Sequence, residues 1–299
     1  MINKGKKAHP IKCIVSGVEG IGKSTFASSL PKPVFLDMED GTLNMEVDRF
    51  DKPTTAKGIY DAIEWFKKSE YQTIVVDTID WCERMIADSM NKEYKKESIE
   101  DYGFGRGYVM LKERVSELLD TLNATGKHVV LLAHIHIKKF EEPDGAGSYD
   151  RYELKLSRQV APLVKEWADL YLFANYKTRV IEKEGKNKAI GGQERVMYTS
   201  RTAAWDAKNR YGLKDVLPFE PKEILHLFSS SAKSTPVSTD LVLESTPQSI
   251  YEILNDKWIK AGKTYENKQS AFQWLGVVSI DFQWDELNET QVKKLLEKL

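Results

Sequence analysis

Short, almost unbroken apolar runs alternate with helical patterns along the first three quarters of the chain. Ile11-Lys12-Cys13-Ile14-Val15-Ser16 is the first run and reads as a β-strand. Pro33–Asp37, Thr73–Asp77 and His128–His134 repeat the pattern. Between them, Gly58–Ser69 and Tyr108–Thr125 carry apolar residues at helical spacing. In the second, Val109, Leu111, Val115, Leu118, Leu119 and Leu122 fall largely on one face. A strand that is apolar at successive positions must be covered on both sides. The alternation therefore predicts an α/β fold, with a mainly parallel sheet between helices.

The pattern continues with a predicted helix over Arg158–Asp169 and a strand over Leu170–Ala174. Lys177–Glu182 and Glu194–Ser200 flank the turn-forming stretch Lys183–Gln193 and predict a hairpin. A helix near Lys222–Phe228 closes this core. From Ser229 to Pro247 serine, threonine and proline dominate, the composition of a flexible linker. Beyond it, Thr246 can cap a helix with Pro247 at its first position, and Ile250, Ile253, Leu254 and Trp258 form its apolar stripe up to Gly262. A last helix, about Thr290–Leu299, aligns Val292, Leu295, Leu296 and Leu299. The expected organisation is a core over 1–228, a linker over 229–247 and a small helical module over 248–299.

Composition narrows the setting. The chain has 299 residues, 41% hydrophobic and 30% charged, as expected of a water-soluble globular protein. It has no apolar run long enough to cross a bilayer, and Met1 leads into Lys4, Lys6 and Lys7 without an apolar signal core, so a cytoplasmic protein that does not engage membranes is expected. Cys13 and Cys82 are unclustered, which suggests reduced core thiols rather than a disulfide framework or a zinc site. Net charge is −1, from 44 basic and 45 acidic residues. That balance argues against constitutive, charge-driven nucleic-acid binding and leaves open DNA contact through local loops.

The chemistry starts at Gly17-Val18-Glu19-Gly20-Ile21-Gly22-Lys23-Ser24, which fits the phosphate-loop pattern G-x-x-x-x-G-K-[ST]. It follows the first strand and precedes a helical pattern beginning at Thr25, the context the motif requires. Its glycines let successive backbone N–H groups curl toward phosphate oxygens, and the following helix adds its positive end. Lys23 would reach the β- and γ-phosphates of ATP, and the Ser24 hydroxyl would hold Mg²⁺. Asp77, at the end of Ile74-Val75-Val76, has the placement of a Walker B carboxylate, a second Mg²⁺ ligand acting through water. Hydrolysis also needs a group that orients or deprotonates water, and Glu39 is the candidate, with Asp37 and Asp40 as close rivals.

At Phe35-Leu36-Asp37-Met38-Glu39 the chain resembles the RecA-like ATPases, which carry a glutamate just after such a strand. The resemblance implies that His134 senses the γ-phosphate and passes its presence to the long polar loop Lys138–Arg151; His136, two residues on, would face the same side of an extended strand. Asp206-Ala207-Lys208-Asn209-Arg210-Tyr211-Gly212 resembles the K-x-R-x-G segment of DnaB-type ring helicases. There the lysine and arginine reach a neighbour's γ-phosphate, which implies roles for Lys208 and Arg210 across a subunit interface. Residues 10–230 as a whole resemble the compact RecA-core ATPases of bacteriophages that act in single-strand annealing and recombination. The phosphate loop, Val76-Asp77-Thr78, Asp101–Tyr108, Ala133-His134 and Lys208-Asn209-Arg210 carry that likeness.

This resemblance implies a homo-oligomer, ring or filament, acting on single-stranded DNA, in the host cytosol if phage-encoded. The candidate DNA contacts are Phe104, Arg106 and Tyr108 in one loop and Lys138, Lys139 and Arg151 in the other, where aromatic faces and cations suit sequence-tolerant binding. The tail module would contact a single-strand-binding protein or another protomer, or pack on the core. Two other classes compete. A P-loop kinase would need an arginine-rich lid, for which Arg195 or Arg201 are the available residues. A non-hydrolysing nucleotide switch would recruit replication or recombination proteins through 248–299.

Overall fold

The computed structural model describes residues 9–141, 147–183 and 186–229; the predicted linker and C-terminal helical module lie outside them. The chain runs β1 (Lys12–Gly17), α1 (Lys23–Ser28), β2 (Pro33–Asp37), α2 (Ala56–Lys68), β3 (Thr73–Asp77) and α3 (Ile79–Tyr94). After a 3₁₀ turn at Ile99–Tyr102 come α4 (Arg106–Asn123), β4 (His128–Ala133), β5 (Ile135–Glu141), β6 (Ser148–Leu154) and α5 (Val160–Trp167). The last elements are β7 (Leu170–Lys183), β8 (Lys186–Tyr198), β9 (Lys208–Asn209), β10 (Val216–Pro218) and α6 (Lys222–Ser229). The main sheet has the order β10-β8-β7-β1-β4-β3-β2, with β9 paired to β7. Its five strands from β7 to β2 are mutually parallel, while β8, β9 and β10 add on antiparallel. This is the α/β architecture, a mainly parallel sheet between helices, that the alternating pattern implied.

The unbroken apolar runs are explained by two cores, one on each face of the sheet. Along β1, Ile14 faces one core while Cys13 and Val15 face the other; along β4, Val129 and Leu131 oppose Val130 and Leu132. Helices α2 to α5 cover the first face, through Ile63, Phe66, Ile86, Val115 and Leu118 among others. Helices α1 and α6 cover the second, through Phe26, Ile224 and Phe228. Cys13 and Cys82 are both free and buried, as expected of core thiols. Among the described residues no helix is long and apolar enough to cross a membrane.

Three stretches differ from the sequence expectation. The turn expected over Lys183–Gln193 belongs mostly to β8, and the expected strands Leu170–Ala174 and Lys177–Glu182 are one continuous strand, β7. Helix α3 is not evident in the pattern because its buried face, Ile79, Cys82, Ile86 and Met90, is interrupted by Glu83, which is itself buried and accepts a hydrogen bond from the Ser157 amide. The stretch expected as a polar loop, Lys138–Arg151, is largely an antiparallel hairpin of β5 and β6, in register from Ile135↔Leu154 to Glu141↔Ser148. Nearly all of β5 is exposed, so its strand carries little apolar alternation to be read.

One buried histidine fastens the entrance of this sheet. His128 is 7% exposed, accepts a hydrogen bond at Nδ1 from the Ile11 amide (3.0 Å), and packs against the Phe228 ring. Burial pushes its pKa down to about 4, so the folded protein holds it neutral where the unfolded chain protonates it. The unfolded state therefore binds more protons between the two values, and stability falls as pH falls through that window. Between pH 7 and pH 5 the loss from this one group is about 2 kcal/mol. His128→Gln keeps an acceptor for the Ile11 amide but does not titrate. Urea unfolding at the two pH values should show the wild type losing about that much more stability than the variant; equal losses would remove His128 as the cause.

Candidate active site

Parallel strands bring their C-terminal ends to one edge, and in open α/β sheets that edge holds the site. Gly17 ends β1, Asp37 ends β2, Asp77 ends β3, and His134 follows β4. The phosphate loop follows from its glycines. A Cβ on Gly17 would sit 2.4 Å from the Ala174 carbonyl oxygen of β7, so only glycine allows β1 and β7 to approach there. Gly20 (φ 73°) and Gly22 (φ 98°) take left-handed backbone, which turns the loop back into α1. No side chain caps α1, and Lys23 opens it. The Lys23 ammonium is buried and donates to the Gly17 and Val18 carbonyls (3.3 and 3.4 Å). Burial lowers its pKa, opposed by Asp77, Asp80, Glu19 and Glu39 around it. An ammonium poised over a glycine-rich loop is the donor set a polyphosphate needs, so these residues fit a nucleotide.

Ser24 Oγ donates to Asp77 Oδ2 at 2.6 Å, so the two expected Mg²⁺ ligands meet. Burial pushes the Asp77 pKa up to about 6; the Ser24 hydrogen bond opposes this, and the Asp37 and Glu39 carboxylates add to it. A hydroxyl and a desolvated carboxylate are hard oxygen donors of the kind Mg²⁺ takes. A cleft of about 310 Å³ opens beside them, lined by the loop residues Glu19, Gly20, Gly22, Lys23, Ser24 and Thr25, and by Glu39, Asp77 and His134. Val18 and Ile21 serve the loop from behind, Ile21 fully buried in the core under α1 and α6.

The rivalry among the acidic residues after β2 is resolved by their contacts. Asp37 is consumed within the loop: it accepts from the amides of Glu39, Gly41 and Thr42 and from the Thr42 hydroxyl. Burial alone would raise its pKa, but the Thr42, Glu39 and Gly41 hydrogen bonds hold it below the usual carboxylate range. Asp40 is exposed and pairs with Lys52. Glu39 alone of the three reaches the cleft, where Thr78 Oγ1 donates to its Oε1 (2.8 Å). His134 Nδ1 lies 3.7 Å from the same oxygen.

Sequence reading missed Asp80. It sits in the first turn of α3 and takes both the His134 backbone amide (3.0 Å) and His134 Nδ1 (2.9 Å). The Asp80 hydrogen bond raises the His134 pKa against the opposing effect of burial. The available signal was the second carboxylate in Asp77-Thr78-Ile79-Asp80, one helical turn beyond the strand end. Glu39, His134 and Asp80 thus form one contiguous polar chain beside the phosphate loop.

The remaining candidates lie elsewhere. Lys208 and Asn209 pair with Tyr171 and Leu170 at the start of β7, the opposite edge of the sheet from the chain's own phosphate loop. Lys208 Nζ donates to the Lys165 and Glu166 carbonyls at the end of α5. Arg210 pairs with buried Asp169 (2.7 Å) while its own side chain stays more than half exposed. Phe104 is fully exposed at φ 48°, between Gly103 and Gly105, also left-handed. Arg106 opens α4 in the open, and the Tyr108 hydroxyl donates to Glu100. Lys138 and Lys139 are exposed on β5. Arg151 corrects the sequence expectation: it is buried at 4% exposure between Asp206 and Glu153, so its charge is spent inside the protein. His136 is exposed on β5 and does not line this cleft, lining instead a separate one beside the β5–β6 hairpin.

Comparison with known proteins places this geometry. A family model described as an AAA domain matches residues 9–211. The chain has no match among curated proteins. Solved structures similar to it include a KaiC-like protein from Pyrococcus horikoshii OT3, at 15% identity and TM-score 0.36, covering 65% of this chain and 80% of that one. Another is the flagellar accessory protein FlaH from Methanocaldococcus jannaschii, at 10% identity and TM-score 0.35, covering 70% of this chain and 84% of that one. The family match extends over more than half of the chain and takes in every strand that frames the cleft, so the chain belongs to the AAA-domain family, P-loop ATPases by their nucleotide site.

Proposed function

We propose that the protein hydrolyses ATP in this cleft and acts, as an oligomer, on single-stranded DNA in phage recombination or annealing. The observation that carries the hydrolytic half is the Thr78–Glu39 contact, with His134 and Asp80 behind it. Of the three acidic candidates after β2, Glu39 is the one that lines the cleft, where it would orient and deprotonate an attacking water. Thr78 holds it by a hydrogen bond, and Asp80 holds His134 beside it. Mg²⁺, when held by Ser24 and Asp77, would offset charge on the phosphates. Lys23 would leave its loop carbonyls for the stronger anionic acceptor.

The DNA half is supported by exposed groups on two elements. Phe104 is held at a backbone angle that an aromatic residue adopts at a cost, and is fully exposed there, which suits a stacking platform. Lys138, with Phe140 and Arg158, lines a surface cleft between the β5–β6 hairpin and α5. Arg158 stands in for Arg151 as the exposed cation on that face. Arg210, remote from its own cleft but exposed, is available to a neighbour's. Among the described residues neither candidate arginine forms a kinase lid: Arg201 faces Asp206 and Arg195 belongs to a β-strand.

Steady-state ATP hydrolysis measured across protein concentrations should rise with added single-stranded DNA and more than linearly with protein. Glu39→Gln should lower the rate by roughly 10²-fold or more while ATP still binds. Equal, protein-proportional rates with and without DNA would refute the assembled-ATPase reading, and a fully active Glu39→Gln would refute the role of Glu39. Mixing Glu39→Gln with Arg210→Ala, each inactive alone, should restore part of the activity, because the first supplies an intact arginine to the second's intact cleft; no recovery would count against a trans-acting arginine. Phe104→Ala should weaken single-strand binding by about 1–3 kcal/mol, read by fluorescence anisotropy, with stability unchanged.

A further inference from the structure

Arg195 lies beside the phosphate loop without a partner suited to its charge. It sits on β8, exposed, and its Nη1 donates to the Ile21 carbonyl at 3.1 Å. The same nitrogen is 2.9 Å from where a Cβ on Gly22 would stand. Among the described residues no carboxylate forms an ion pair with it. Its backbone is fixed, by pairing with Tyr176 on β7 and by the Phe219 amide, which donates to its carbonyl. The β7–β8 register shifts at Tyr176/Thr178, directly after that pair. An irregularity of this sort re-aims side chains, and such features gather beside active sites.

Sheet order says which part of a nucleotide Arg195 would meet. Glu39, Asp77 and His134 come from β2, β3 and β4, all on one side of β1. Arg195 comes from β8, on the other side of β1 and beyond β7. A triphosphate lying along the loop with its terminal phosphate among the acidic strand ends must extend its inner phosphates toward the β7–β8 side. We propose that Arg195 is a nucleotide-contacting residue that leaves the Ile21 carbonyl on binding and grips the α- and β-phosphates, the diphosphate that ATP and ADP share. A neutral carbonyl is a weaker acceptor for a guanidinium than a phosphate oxygen, and arginine matches phosphate geometry with two parallel N–H groups. The inference rests on the nucleotide-binding reading of the cleft and adds a cis cation to it.

The test is calorimetric titration of ADP and a non-hydrolysed ATP analogue into the full chain, with Mg²⁺, for wild type, Arg195→Ala, Arg195→Gln and Arg195→Lys. Arg195→Ala should weaken both nucleotides equally, by about tenfold or more. Arg195→Gln keeps a donor for the Ile21 carbonyl but no charge, and should weaken them as much; Arg195→Lys should recover part of the loss. The side chain is exposed, so the melting temperatures without nucleotide should agree. Wild-type affinity in Arg195→Gln would show that the arginine only braces the loop, and a loss confined to the ATP analogue would place it at the γ-phosphate; either overturns the inference and leaves nucleotide binding standing. A wild-type protein that binds neither nucleotide overturns both.

Discussion

The cleft is organised around the hydrogen bond from Ser24, in the first turn of α1, to Asp77, which ties the phosphate loop after β1 to the end of β3 across the strand that separates β1 from β3. β4 lies between the two, so neither backbone touches the other, and the side chains must bridge its C-terminal end. That geometry does two things at once. It places the hydroxyl of the phosphate loop on the carboxylate of the next acidic strand end, and it leaves the residue emerging from β4 directly beneath. His134 is that residue. A strand order without β4 in the middle would give it no position from which to touch Asp80 and face Glu39.

The loop after β2 solves a related problem with a different carboxylate. Asp37 is 3% exposed, and an ionised group at that depth costs several kcal/mol unless its lone pairs are filled. Three amides and a hydroxyl from Glu39, Gly41 and Thr42 fill them. The turn around Asp37 is therefore an anion nest made by its own chain, and its consequence is the projection of Glu39. Of two carboxylates two residues apart, the buried one shapes the backbone and the partly exposed one faces the cleft.

Much of this was legible in the sequence where the signal is local. β2 and β3 have the bounds their apolar runs predict, and the phosphate loop could be read with its flanking strand and helix. Local patterns fail where a residue's environment is made by distant chain. Glu83 is polar in the sequence yet buried, because Ser157 supplies its partner, and this hides α3. Arg151 reads as a surface cation, yet Asp206, far along the chain, and Glu153 draw it inside. Asp80 becomes part of the site only because β4 delivers His134 to it. In each case the missing information is a tertiary partner, not a property of the residue.

The charge of the cleft then constrains what can complete it. Asp77, Glu39 and Asp80 face a single ammonium, Lys23, and a histidine whose charge Asp80 favours. Asp77 has its pKa raised in part by the neighbouring Asp37 and Glu39, which shows that the carboxylates already repel one another. A polyphosphate brings several more negative charges into the same partly desolvated space, where like-charge repulsion is stronger than in water. Lys23 cannot offset them alone. Several other cations of the fold are committed: Arg151 and Lys165 to Asp206 and Glu153, and Lys12 to Asp169. On the proposed reading the balance would come from a divalent ion held by Ser24 and Asp77, from Arg195 on the β8 side, and from a cation of a second copy of the chain. The folded chain supplies the first site and the second charge by itself, so binding should need only nucleotide and metal. Rapid hydrolysis, which adds charge at the γ-phosphate on the far side from Arg195, is the step for which a neighbour's cation would be needed.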